Sequence, residues 1–214
     1  MSTMTRALVL IACTATLLVT GCAREITGTP VLAGGQDAGG PSGSSAECTT
    51  VDAPLADIPA VSPREPQLRI PVPAGWKRNS MMDSQVIRYA IVAEELIANG
   101  FAPNAVVTLE QARGVADPAE VFDENRANLI RMMNATDLQT EDNTTCGLPS
   151  ETTTYMAPPM GPAPRRPIIM HAVVAQSGNA TYLATVTIQT SDGANPTYQR
   201  DAEQIVDGFQ MLLR

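Results

Sequence analysis

Alternation along one ten-residue stretch constrains the fold more than any other feature of this chain. In "TYLATVTIQT" (181–190), Tyr182, Ala184, Val186 and Ile188 fall on one side and mostly threonine on the other. That is the period of a strand with one buried face. "IIMHAVVAQ" lies upstream across "SGNA", so the two stretches read as an antiparallel hairpin. A second pattern says what covers the hairpin. From Asn195 and Pro196 onward, Tyr198, Ala202, Ile205, Val206, Phe209, Leu212 and Leu213 recur at spacings of three and four. A helix there carries one broad apolar stripe that has to pack on something flat. Sheet and helix together predict an α+β fold, an antiparallel sheet with helices packed against it.

Further elements fit that scheme. Asp117 is placed to cap a helix with Pro118 at its first position and Glu120 three residues after the cap, and Phe122, Leu129, Ile130 and Met133 line one face. "AVVTLEQA" (105–112) and "QLRIPVP", just before Trp76, read as strands. "VIRYAIVAEELIANG" satisfies both periods, and a strand from Val86 to Ala93 is favoured because "FAPN" and another strand follow. "TTVDAPLADI" has Val51, Leu55 and Ile58 at helical spacing with Pro54 near a start, which predicts a short docked helix. Residues 66–214 are long enough for one domain with its own core.

The N-terminus argues about location. Arg6 is the only charged residue before Cys22, and "ALVLIACTATLLVT" is an apolar run of about 14 residues, short of the roughly 20 needed to span a bilayer. Residues 1–21 read as a signal peptide, and "VTGC" resembles the lipobox of bacterial lipoproteins. The thiol of Cys22 would then receive a diacylglycerol, and two or more acyl chains anchor a protein stably. An ordinary secreted protein in which Cys22 is incidental is the alternative. Residues 22–65, with "TGTPVLAGGQDAGGPSGSSAE", read as a flexible tether. About 25 such residues reach roughly 25 to 30 Å.

In an exported chain, Cys48 and Cys146 remain as an even pair and are expected to bond. The loop of about 100 residues would add on the order of 4 to 5 kcal/mol in the chain-entropy model. Without residues 1–21 the chain holds 13 basic and 22 acidic residues, a net charge of −9. Nucleic acid and anionic lipid surfaces are therefore poor general partners.

The order of parts has a familiar form. "LRIPVPAGWKR", two strands, a helix opening "ADPAE", a "CGLPS" stretch, a hairpin ending "YLATVTIQT" and the terminal "QRDAEQIVDGFQMLL" together resemble the LpqN/LpqT family of mycobacterial lipoproteins. The likeness runs from Gln67 onward and includes the lipobox and tether, and its most telling element is "IPVPAGW", with Pro71, Pro73, Gly75 and Trp76. The resemblance implies a PsbP-like fold, an α/β/α sandwich around a curved antiparallel sheet, and no established catalytic residues. Cys48, Cys146 and the proline-rich "APPMGPAPRRP" depart from the family pattern.

Motifs for chemistry are few. The chain has no Gly-x-Ser-x-Gly elbow, P-loop, dinucleotide fingerprint or His-Glu-x-x-His, and neither a cofactor nor a metal is expected. His171, the only histidine, falls in a predicted strand. As a general base it would need a nucleophile and an orienting carboxylate beside it, and a structural histidine is the plainer reading. Glu94 with Glu95, and Glu141 with Asp142, read as solvated charge, because strand neighbours face opposite sides.

The proline-rich loop Ala157–Pro167 holds Arg165 and Arg166 close to Met156 and Met160. These four are the expected contacts for a ligand with an apolar tail and an acidic group. The expected protein is a non-enzymatic, lipid-anchored lipoprotein at the outer face of the cytoplasmic membrane or in the cell envelope. It would bind a lipidic ligand or assist envelope lipid transport. A protein-interaction adaptor is the alternative, and a hydrolase using His171 a third reading. An apolar cavity would favour the lipid, and a filled core with an exposed apolar patch the protein partner.

Overall fold

The structure is a computed structural model and describes residues 47–214. The predicted signal peptide, Cys22 and most of the predicted tether lie outside the described residues. Two antiparallel sheets form the fold. The smaller joins β1 (Leu55–Ile58), β2 (Gln67–Pro71) and β10 (Gln210–Leu212) in the order β1-β2-β10. The larger is built from β3 (Lys77–Arg78), β4 (Ile87–Val92), β5 (Asn104–Arg113), β6 (Thr136–Thr145), β7 (Leu148–Ala157), β8 (Arg166–Ser177) and β9 (Ala180–Gln189). Its order is β3-β4-β5-β9-β8-β7-β6. Helix α1 (Pro118–Met133) connects β5 to β6, and α2 (Pro196–Gly208) precedes β10.

The β8–β9 hairpin is at the centre, as its alternation predicts. Ile188 lies opposite Ile169 and Val186 opposite His171. The inward face of β9 also meets β5, where Ala184 opposes Leu109. On this face Val107, Val173 and Val186 pack with Tyr198, Ile205 and Phe209 of the α2 region and with Ile70 of the small sheet. On the opposite face α1 covers β7 and β8: Phe122 packs with Ala172 and Val174, and Leu129 with Tyr155, Ile168 and Met170. Period-two alternation along β8 therefore feeds two cores, and the fold is α+β with a helix on each face of the large sheet.

Both helix starts follow their sequence signals. The Asp117 side chain accepts from Ala119 N at 2.9 Å, and Asn195 Oδ1 accepts from Thr197 N and Tyr198 N at 2.9 and 3.2 Å. Trp76 ties the "IPVPAGW" element to α2, its Nε1 donating to the buried Asp201 Oδ2 at 2.9 Å.

Four expectations are corrected. The stretch at 51–58 is not a helix. Leu55–Ile58 pairs with β2, Ala56 opposite Ile70, because β2 would otherwise be left with an unpaired edge. The folded part consequently begins before residue 66, inside the predicted tether. Helix α2 stops at Gly208 instead of running through Leu213, since Phe209 and Met211 then alternate inward and Met211 pairs with Leu68. The α1 stripe is narrower than predicted: Phe122 and Leu129 are buried, while Ile130 and Met133 are 54% and 44% exposed, because β7 and β8 meet only one side of the helix.

The β6–β7 hairpin had no counterpart among the predicted strands. Its turn is Cys146-Gly147, with φ of +51° and +78°, the double positive φ of a type I′ two-residue hairpin turn.

Candidate functional site

The large sheet extends past α2 on the α2 side, which leaves a cleft between the helix and strands β6, β7 and β8. Its volume is about 520 Å³. Met156, Ile169, Tyr198, Ala202 and Val206 supply apolar wall, and Asp137, Glu203 and Asp207 supply the acidic rim. The wall is apolar because β7 and β8 turn one alternating set of side chains toward α2, and because the outer flank of α2 repeats Tyr198, Ala202 and Val206 at spacings of four.

At Thr152, Val206 and Asp207 the cleft runs into a second recess of about 390 Å³. This recess is polar: Glu141, Asn143, Thr145 and His171 line it, with Phe209 at its inner side. His171 is buried, 3% exposed. Its Nε2 lies 2.8 Å from Thr145 Oγ1 and its Nδ1 2.9 Å from Thr152 Oγ1. Thr145 donates onward to Ser150 at 2.9 Å. The Thr145 oxygen therefore accepts from Nε2–H, and Nδ1 accepts the Thr152 hydroxyl. Burial pushes the imidazole pKa down to about 4, so it is neutral at physiological pH. Burial, with the neighbouring Glu203 charge, raises the Asp207 carboxyl above its ordinary range.

Both imidazole nitrogens are engaged by hydroxyls, and among the described residues no carboxylate is hydrogen-bonded to the ring. Among the described residues no group of three His, Cys, Asp or Glu side chains is placed to hold a metal.

The four predicted contact residues do not form one site. Arg165 is exposed and donates to Asp137 Oδ2 at 3.1 Å on the cleft rim, and Met156 lies in the cleft wall. Arg166 turns to the opposite face, where it is 4% exposed, and Met160 accompanies it there. Arg166 opens β8 and Arg165 lies in the bend just before it, so strand position fixes the face of Arg166 alone. Cys48 and Cys146 are joined by a disulfide, and Thr49 and Cys146 border the polar recess. Cys22 lies outside the described residues.

Sequence reasoning missed Thr145, Thr152 and Asp207. The signal that would have exposed the first two was the Cys146-Gly147 turn, because recognising that hairpin places both threonines on strands beside His171.

Fold and cleft define the class as an α+β sheet protein with a helix on each face and an open, largely apolar surface cleft. The family described as "Probable lipoprotein LpqN" matches residues 54–212, and the chain belongs to that family. Among solved structures, LpqN of Mycobacterium tuberculosis, described as involved in cell envelope biogenesis, superposes with a TM-score of 0.59 at 18% identity, over 74% of this chain and 91% of that one. The Ran-binding protein Mog1p of Saccharomyces cerevisiae matches at 13% identity with a TM-score of 0.44, over 74% of this chain and 95% of that one. No curated protein matches by sequence.

Proposed function

We propose that this protein is a non-enzymatic lipoprotein of the cell envelope, anchored through Cys22, that binds a lipidic ligand in the cleft between α2 and strands β6–β8. The observation that carries the reading is the cleft itself: about 520 Å³ of largely apolar wall opening into a recess lined by hydroxyls, an amide and carboxylates. An acyl chain against Met156, Ile169 and Val206 leaves water, and each buried methylene is worth about 0.8 kcal/mol. Glu141, Glu203 and Asp207 disfavour an anionic head there. Family membership and the described role of the M. tuberculosis relative support the envelope location. The neutral, hydroxyl-bound His171 supports binding over hydrolysis.

The test is solvent extraction and mass spectrometry of lipid that co-purifies with the protein from its native membrane. Val206→Asp puts a charge in the apolar wall and should cut the recovered lipid about tenfold, with the fold checked by its melting temperature. Equal recovery from a folded variant overturns the cleft as the lipid site.

A further inference from the structure

Helix α1 covers only part of its face of the large sheet. At the other end of that face, Val92 of β4, Asn104 and Val106 of β5 and Gln189 of β9 lie under loops, not under a helix. The β3–β4 connection brings Met81 and Met82 over this end, and the β7–β8 connection brings Met160. All three methionines are exposed. With Phe101 they bound a groove of about 470 Å³.

Arg166 lines the groove. Two arginines are buried among the described residues, and they differ in their partners. Arg88 meets both carboxylate oxygens of Glu65, at 3.2 and 2.8 Å. Arg166 meets only neutral groups. Its Nε donates to Gln189 Oε1 at 2.8 Å and its Nη1 to Pro164 O at 3.2 Å. Its guanidinium carbon stands 5.1 Å from the centre of the Phe101 ring. Gln189 is held in turn by Asn104, Nε2 to Oδ1 at 2.9 Å, and Asn104 donates to Ala102 O at 3.0 Å. The guanidinium is thus fixed in orientation and desolvated, with no counter-charge among the described residues. A cation in that position is unfavourable until an anion reaches it.

We propose that this groove binds a long-chain fatty acid, the carboxylate accepting from Arg166 and the chain lying along Phe101, Met82, Met81 and Met160. A planar guanidinium suits a carboxylate. Methionine is unbranched and polarisable and adapts to a flexible chain. The amides of Asn104 and Gln189 are engaged with each other and with Arg166, which leaves them poor partners for a peptide backbone. A volume of about 470 Å³ is that of a small-molecule site. The groove and the α2 cleft lie on opposite faces of the sheet, so the inference stands apart from the cleft reading.

The test uses the full-length protein in its membranes, labelled with a diazirine analogue of myristic acid, in parallel with the matching diazirine monoacylglycerol and lysophosphatidate. Cross-linked peptides are mapped by mass spectrometry. Saturable labelling by the acid is expected on peptides carrying Met81, Met82 or Met160, competed by free myristate and about tenfold above that of the uncharged glycerol ester. Arg166→Gln should abolish that preference. The double variant Met81→Asp with Met82→Asp, at two exposed positions that leave the core intact, should abolish labelling of the Met160 peptide. Val206→Asp in the cleft should leave groove labelling unchanged while reducing lipid recovery from the cleft. The assignment is overturned by unsaturable labelling, by an acid preference that survives Arg166→Gln, by labelling that Val206→Asp removes, or by stronger labelling with the lysophosphatidate.

Discussion

His171 shows what one residue can and cannot disclose from sequence. Its place in a strand was legible, but its partners were not, because Thr145 and Thr152 reach it only through the β6–β7–β8 pairing. Its folded-state pKa of about 4 lies below the ordinary value of 6.5, so folding favours the neutral ring. The stability that follows is fully present above pH 6.5 and is lost as pH falls from there toward 4. Between pH 7.5 and pH 5 the loss should be about 2 kcal/mol. Urea unfolding at the two pH values should show this difference in the wild type and a much smaller one in His171→Gln, and equal differences would mean that the ring is already solvated. Glu151 and Asp207, whose carboxyls burial raises, act in the opposite direction at lower pH and are common to both proteins. The arginine pair gives the same lesson more sharply. Adjacency suggested one contact site, but the start of β8 at Arg166 turns that side chain to the far face while Arg165, in the bend before it, reaches Asp137 on the cleft rim.

At the scale of elements, local signals were reliable where the chain interacts with itself over three or four residues. The caps at Asp117 and Asn195 and the β8–β9 hairpin are of that kind. The end of α2 is not, because a neighbour decides it. A Cβ placed on Gly208 would overlap Val51 Cγ2 and lie 2.7 Å from Pro71 Cγ. Glycine is therefore required for the helix to close against β2 and the segment before β1. Gly208→Ala should lower unfolding stability by about 1 to 3 kcal/mol through overpacking, although alanine is otherwise the better helix former by about 1 kcal/mol. Chemical denaturation decides the matter, and a variant as stable as the wild type would show that this close approach is absent. Strand β6 was hidden for a different reason: "TDLQTEDNTT" is exposed along nearly its whole length. A strand without a buried face has no apolar alternation to read.

For the whole molecule, the proposed anchor and the two grooves set the expected behaviour. Cys22→Ala should leave the precursor without its acyl mass and move the protein from the detergent phase to the aqueous phase, as expected when the acyl chains supply the membrane affinity. Unchanged partitioning with an unchanged acyl mass would overturn the anchor. The sequence by itself determined the α+β class, the central hairpin, both helix starts and the resemblance to the lipoprotein family. Each of these is written in periods, caps and short motifs that depend on near neighbours in the chain. Tertiary structure alone decided that 55–58 is a strand, that α2 ends at Gly208, and that the cleft, the threonine-bound His171 and an Arg166 without a counter-charge among the described residues exist at all. These features arise where segments far apart in sequence meet, and burial, closeness and the lack of a counter-charge are properties of that meeting and not of any one stretch of chain.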